Sequence, residues 1–168
     1  MQDQLTLRAA KLADIGQVDD LLARSYPRLL RPDYPPSMLV LALPLITKAQ
    51  PGLLRSGRYF LVEDGDRVVA AGGWSPDRRT QTRGHVRHLA TDPDYLRRGI
   101  ARSLLKTVFA HALRHGLREM ETWSTRTAVP FYAALGFEDA QEISVPLAPG
   151  ISFPAVRMRR LLSGQDGQ

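Results

Sequence analysis

The sequence predicts a single α/β domain with one mixed sheet and helices on both faces. Two observations carry this. The stretch VRHLATDPDYLRRGIARSLL, residues 86–105, changes character midway. Val86 to Thr91 reads as a strand that ends in the turn Asp92-Pro93-Asp94. From Ile100 the apolar residues recur at helical spacing, with Ile100, Leu104, Val108 and Ala112 on one row. Ala101, Leu105, Phe109 and Leu113 form the row beside it. The second observation is that short strand and helix patterns alternate on either side of this unit, in the order β-α-α-β-β-β-α-β-α-β-β.

Taken in order, Leu5-Thr6-Leu7-Arg8 alternates as a first strand. Asp14 is placed to cap a helix that buries Ile15, Val18, Leu21 and Leu22, with Pro27 expected to end it. Residues 31–36 are a loop. Met38 to Ile46 reads as a second, core-facing helix that kinks or stops near Pro44, and Pro51-Gly52 breaks the chain again before the next strand. Residues 58–63 and 67–74 are strands, joined by the hairpin signal Asp64-Gly65-Asp66. Gly72-Gly73 marks a bulge or a close backbone approach. After the polar loop 75–81 come the central strand and the long helix, with Gly116 as its left-handed cap. Residues 117–124 form a strand. Thr127 is expected to cap a short helix over 128–135, stopped by Gly136. Residues 143–147 and 153–158 close the sheet. One domain over 1–162 is expected, with 163–168 fraying.

The 168 residues carry a net charge of +6 and no cysteine. The missing cysteine removes disulfides, thiolate metal sites and a cysteine nucleophile, and no metal is expected. Only Lys11, Lys48 and Lys106 are lysines, so the basic character is arginine. These arginines are scattered rather than gathered into a stripe, which argues against nucleic acid as the main partner. No apolar run reaches membrane-spanning length, and the N-terminus lacks a signal-peptide core. A cytoplasmic protein with no membrane partner is expected.

The loop Arg97-Arg98-Gly99-Ile100-Ala101 opens a helix, whose first N–H groups lack partners and carry the positive dipole end. Flanking arginines make it a cradle for a diphosphate. About thirty residues on, at the end of the next strand, stands FYAALGF, Phe131 to Phe137. Together LATDPDYLRRGIA and this segment resemble the GNAT superfamily of acyl-CoA N-acyltransferases. Two positions depart from that pattern. Leu96 stands where Gln or Arg is usual, and no Asn heads the Phe-Tyr helix.

The resemblance implies a mostly antiparallel sheet whose two central parallel strands splay apart. It implies acetyl-CoA as co-substrate, with Leu89, Ala90 and Thr91 along the pantetheine arm. Backbone groups of Arg97, Arg98, Gly99, Ile100, Ala101 and Arg102 would hold the diphosphate. The N–H of Leu89 would face the oxyanion, and Tyr132 would protonate the leaving thiolate. In the family the second helix often rims the acceptor site, and homodimers are common. The attacking amine needs a base, because a lysine-like amine has a reference pKa of ~10.4. His85 is the first candidate, His88 lies on the opposite face of a regular strand, and Glu121 is the third. Arg87 is expected to pair with Glu63 or Glu121. Trp74 and Trp123 fall at strand ends, as core or as pocket wall. A non-catalytic acyl-CoA-binding or regulatory module on the same scaffold is the alternative. The acceptor is an unidentified small-molecule or peptide amine.

Overall fold

The computed structural model describes residues 4–168; Met1 to Asp3, part of the N-terminal stretch, lie outside it. Seven strands form one sheet in the order β1-β2-β3-β4-β5-β7-β6. They are β1 (Leu5–Ala9), β2 (Tyr59–Asp64), β3 (Arg67–Pro76), β4 (Arg83–Thr91), β5 (Glu119–Ser124), β6 (Glu138–Ala148) and β7 (Ile151–Leu161). Every neighbouring pair is antiparallel except β4 and β5. The helices are α1 (Ile15–Leu30), α2 (Pro36–Ile46), α3 (Pro51–Arg55), α4 (Ile100–Arg114) and α5 (Val129–Ala134).

The two faces arise from strand alternation. Tyr59 and Leu61 of β2 pack with Val18, Leu21 and Leu22 of α1 and with Leu53 and Leu54 of α3. Phe60 and Val62 point the other way, against Leu104, Leu105 and Val108 of α4. The helical rows read for α4 are therefore its buried face. Each Leu or Val removed from water there contributes roughly 1.5–3 kcal/mol. No helix among the described residues is long and apolar enough to cross a membrane.

Several elements depart from the sequence reading. Pro27 does not end α1, which runs on to Leu30 with the proline inside. An internal proline costs about 3 kcal/mol, offset here by burial of Leu30 and by the Tyr26 hydroxyl, which donates to the Leu89 carbonyl at 3.3 Å. Asp14 does not cap α1. It reaches back to the Lys11 N–H and to Arg8. Thr125, not Thr127, caps the turn before α5, accepting from the Ala128 N–H, while the Thr127 hydroxyl donates to Asp33. α2 starts at Pro36 and buries only Leu39 and Ala42, leaving Val40 71% exposed. α3 stands where only a break was expected. β6 and β7 are each 11 residues, longer than read. The segment expected to fray forms a short turn over Gly164–Gly167, where Asp166 accepts from Arg160 and from the Ser163 N–H.

The hairpin and the double glycine match their reading. Asp64 faces Arg67 across Gly65-Asp66, with Gly65 at φ +58°. Between Ala71 and Gly73 the β3–β4 register shifts. A Cβ on Gly73 would sit 2.1 Å from the Arg58 carbonyl, which is backbone and cannot yield. Gly73→Ala should therefore destabilise the protein by ~3 kcal/mol or more. Gly16→Ala, in α1 with nothing within 4 Å of the new methyl, should add up to ~1 kcal/mol. Paired thermal melts check both signs.

Candidate active site

β4 and β5 stay together only briefly. Their ladder covers Arg83, Gly84 and His85 against Glu119, Met120 and Glu121. Beyond that the strands part, so the β5-facing edge of β4 from Val86 to Thr91 has no strand partner. A bulge accompanies the parting: His88 has φ +45°, and the β3 register slips opposite it. Such a left-handed residue costs about 1–2 kcal/mol. Two tyrosines brace it, with Tyr59 Oη donating to the His88 carbonyl at 2.9 Å and Tyr26 Oη to the Leu89 carbonyl. Gly72 leaves room for the Leu89 side chain, since a Cβ there would meet Leu89 Cδ1 at 2.8 Å.

The gap opens into a cavity of about 320 Å³ lined by Leu89, Ala90, Thr91, Ala101, Thr122 and Tyr132. Tyr132 is 4% exposed. Burial pushes its pKa up to about 12, with the Thr122 hydroxyl working the other way. The phenol therefore keeps its proton across the working range.

The turn from β4 into α4 is pinned at Asp92, 1% exposed, which binds Arg24 at 3.0 Å and Arg67 at 2.6 Å and accepts from the Asp94 N–H. Burial works to raise the Asp92 pKa, but the Asp94 N–H, Arg67 and Arg24 outweigh it and hold it low. Two left-handed residues come next, Arg97 at φ +61° and Gly99 at φ +74°. Such a turn points successive N–H groups to one side, and the first N–H groups of α4 continue the set. Arg97, Arg98 and Gly99 are all exposed, and nothing lies within 4 Å of where a Gly99 Cβ would stand. Ile100 turns inward as the anchor in the core.

A second cavity, about 1030 Å³, shares Tyr26, Val86, His88, Trp123 and Thr125 with the first. Leu45 and Ile46 of α2 rim it. In its wall His85 Nε2 lies 2.8 Å from Asp77, and Nδ1 is 3.7 Å from Glu121, its neighbour in the last paired position of the ladder. Backbone N–H of Arg79, then His85, pull the Asp77 pKa down to about 2. Glu121 is already engaged, accepting from Trp123 Nε1 at 2.9 Å and Arg159 Nε at 3.0 Å. Among the described residues no group of three His, Cys, Asp or Glu is placed to hold a metal ion.

The sequence candidates thus converge, with corrections. The bulge brings His88 into the same cavity as His85 rather than onto the opposite face. Arg87 pairs with neither Glu63, which is bound to Arg8, nor Glu121; its Nε donates to Ser75 Oγ at 2.8 Å. Trp74 is core, its indole N–H bonded to His111, while Trp123 stands half-exposed in the cavity wall. Asp77, Tyr26 and Tyr59 are additions that sequence reasoning misses. Asp77 sits in an ordinary turn motif, accepting from the Arg79 and Thr80 N–H groups. Nothing local distinguishes it from a turn residue.

The sequence profile of the Acetyltransferase (GNAT) family matches residues 17–137. The chain belongs to the GNAT acetyltransferase family. No curated protein matches it in sequence. Solved GNAT structures share its fold. A GCN5-related N-acetyltransferase (aminotransferase, class-II) from Rhodopseudomonas palustris superposes with TM-score 0.78 at 20% identity, covering 94% of this chain and 95% of that one. The PaiA N-acetyltransferase from Thermoplasma acidophilum, solved with coenzyme A, gives 0.71 at 13% identity, covering 94% and 99%. A GNAT-family acetyltransferase from Staphylococcus aureus gives 0.67 at 12%, covering 95% and 99%. The parted β4 and β5 are thus part of a GNAT fold.

The bulge also affects stability. Burial, then Arg87, lower the His88 pKa from 6.5 to about 4. Between those values the unfolded chain binds a proton that the native one refuses. Stability is therefore fully present above pH 6.5 and falls as pH drops through 4. His88→Asn, which tolerates the left-handed backbone, should flatten this acid limb by on the order of 2–3 kcal/mol. The lowered pKa of His111, set mainly by burial, leaves a smaller loss in the same window. Melting temperatures from pH 7 to 4.5 check the difference.

Proposed function

We propose that the protein transfers acetyl from acetyl-CoA to a primary amine by direct attack, with both reactants held at once. The observation that carries this reading is the meeting of two cavities at the gap between β4 and β5. One is narrow, with no Asp, Glu, Lys or Arg in its lining among the described residues, and holds a protonated phenol; the other has charged walls and holds a fixed histidine. The residues present fit the co-substrate: an open left-handed turn with arginines leads into a helix N-terminus, and an unpaired strand edge runs beside a narrow cavity. Acetyl-CoA supplies the activated thioester.

The chain's own groups divide the remaining tasks. Amides from Arg97 to Arg102 take the diphosphate, with the side chains of Arg97, Arg98 and Arg102 beside them. Leu89, Ala90 and Thr91 offer the strand edge to the pantetheine amides. The Leu89 N–H donates to the carbonyl oxygen as it gains charge. His85, held by Asp77, receives the amine proton as the C–N bond forms. As the C–S bond breaks, Tyr132 Oη passes its proton to sulfur and regains one through solvent. Burial raises the phenol pKa, but a thiolate released into the same narrow cavity is disfavoured by the same desolvation. Proton transfer between them therefore remains matched. Glu121 positions rather than reacts, because Arg159 and Trp123 already occupy its oxygens.

Tyr132→Phe should lower kcat by ~100-fold or more while the CoA dissociation constant, read by calorimetry, stays within about twofold. Full turnover by this variant across pH would remove Tyr132 from the chemistry. Absence of turnover by the native protein with any amine, despite CoA binding, would favour the non-catalytic module.

A further inference from the structure

The acceptor cavity is lined by several guanidinium groups that no carboxylate among the described residues neutralises. Arg83 and Arg159 are matched by Glu119 and Glu121, each with a 3.0 Å contact. Arg78, Arg79, Arg87 and Arg157 line the same cavity, and none has a carboxylate within 4.0 Å among the described residues. Arg157 spends a hydrogen bond on the neutral Gln141. Arg87 is the most telling. Its Nε is fixed by Ser75, and among the described residues no other acceptor meets its guanidinium. The residue is exposed and lines the cavity; partial desolvation, with the charge of Arg78 as a second cause, lowers its pKa. Cations that share a cavity without a counter-charge repel one another, and a bound anion would relieve that repulsion through charge-assisted hydrogen bonds.

Asp77, His85 and Glu121 form an acidic cluster in the same cavity, joined by His85 contacts of 2.8 and 3.7 Å, where an amine would meet the thioester. Leu45, Ile46, Val145 and Leu147 supply an apolar side. The volume, about 1030 Å³, is at the upper end for a small-molecule site. A polyamine or a lysine-rich chain would set its remaining positive charge against the bare arginines.

We propose, resting on the acetyltransferase reading, that the acceptor is a small anionic amine whose carboxylate or phosphate is held by Arg87 and Arg78. The amine lies toward His85 and the acid group toward the arginines. Arg87 acts as a specificity-determining residue: it selects by charge and takes no part in bond making.

Matched pairs test this on the full chain with saturating acetyl-CoA, by thiol release. They are glutamate against glutamine, β-alanine against its amide, and O-phosphoethanolamine against ethanolamine, with spermidine as the cationic control. The acid member of at least one pair should be favoured in kcat/KM by about tenfold or more. The pair that responds tells carboxylate from phosphate. Arg87→Gln with Arg78→Gln should erase that preference by raising KM, with kcat and CoA affinity little changed. Preference for neutral members or spermidine, or a preference that survives the double variant, would overturn the inference. So would failure of every acid-bearing compound to bind the CoA-saturated protein in calorimetry, while CoA binding itself keeps the family reading intact. Failure of CoA to bind would instead overturn the reading beneath it.

Discussion

The rest of the structure depends on β4 keeping its bonds to β3 while losing them to β5. A parallel pair that stayed zipped along its length would leave no cavity and no strand edge to offer a ligand. The ladder instead ends after His85 and Glu121, and the bulge at His88 shifts the register on the other side. An unpaired strand edge offers its N–H and C=O groups to any chain or ligand that can pair with it. The surrounding residues hold the parting open. Tyr59 and Tyr26 bind the bulged carbonyls, Gly72 makes room for Leu89, and Asp92 pins the strand's end through Arg24 and Arg67.

Two environments meet at that parting, and the difference between them is electrostatic. On the α4 side, burial keeps Tyr132 protonated, and no Asp, Glu, Lys or Arg lines its cavity among the described residues. On the other side, Asp77 stays ionised because the Arg79 N–H and His85 hold it so, and it fixes the imidazole in turn. Glu121 is locked by Arg159 and Trp123. Tyr132 and His85, the donor and acceptor of the proposed reaction, therefore line separate cavities that share part of their walls.

Much of this architecture is local and so is legible in the sequence. The Asp64-Gly65-Asp66 hairpin, the rows of α4, and the left-handed glycines at 99 and 116 each express a short-range rule. The turn before α4, proposed to hold the cofactor, can be read as a turn because left-handed backbone and a helix start are encoded within a few residues. The misreadings are tertiary. Pro27 breaks a helix by local rule, but Tyr26 and Leu30 on either side of it are tied to distant residues. Counting along a regular strand puts His88 on one face, and one bulge invalidates that count. Arg87 carries no local mark of lacking a carboxylate, since Glu63 and Glu121 are taken by Arg8 and Arg159 from elsewhere in the chain. Asp77 looks like a turn residue until the fold sets His85 beside it.

The central claim is that the parted strands and the left-handed turn form one continuous site for acetyl-CoA. A crystal structure of the protein grown with coenzyme A tests it most directly. The expected result is pantetheine amides hydrogen-bonded along Leu89 to Thr91, the diphosphate on the amides around Gly99, and the sulfur within reach of Tyr132 Oη. Coenzyme A bound elsewhere, or a gap closed by renewed pairing of β4 with β5, would contradict it.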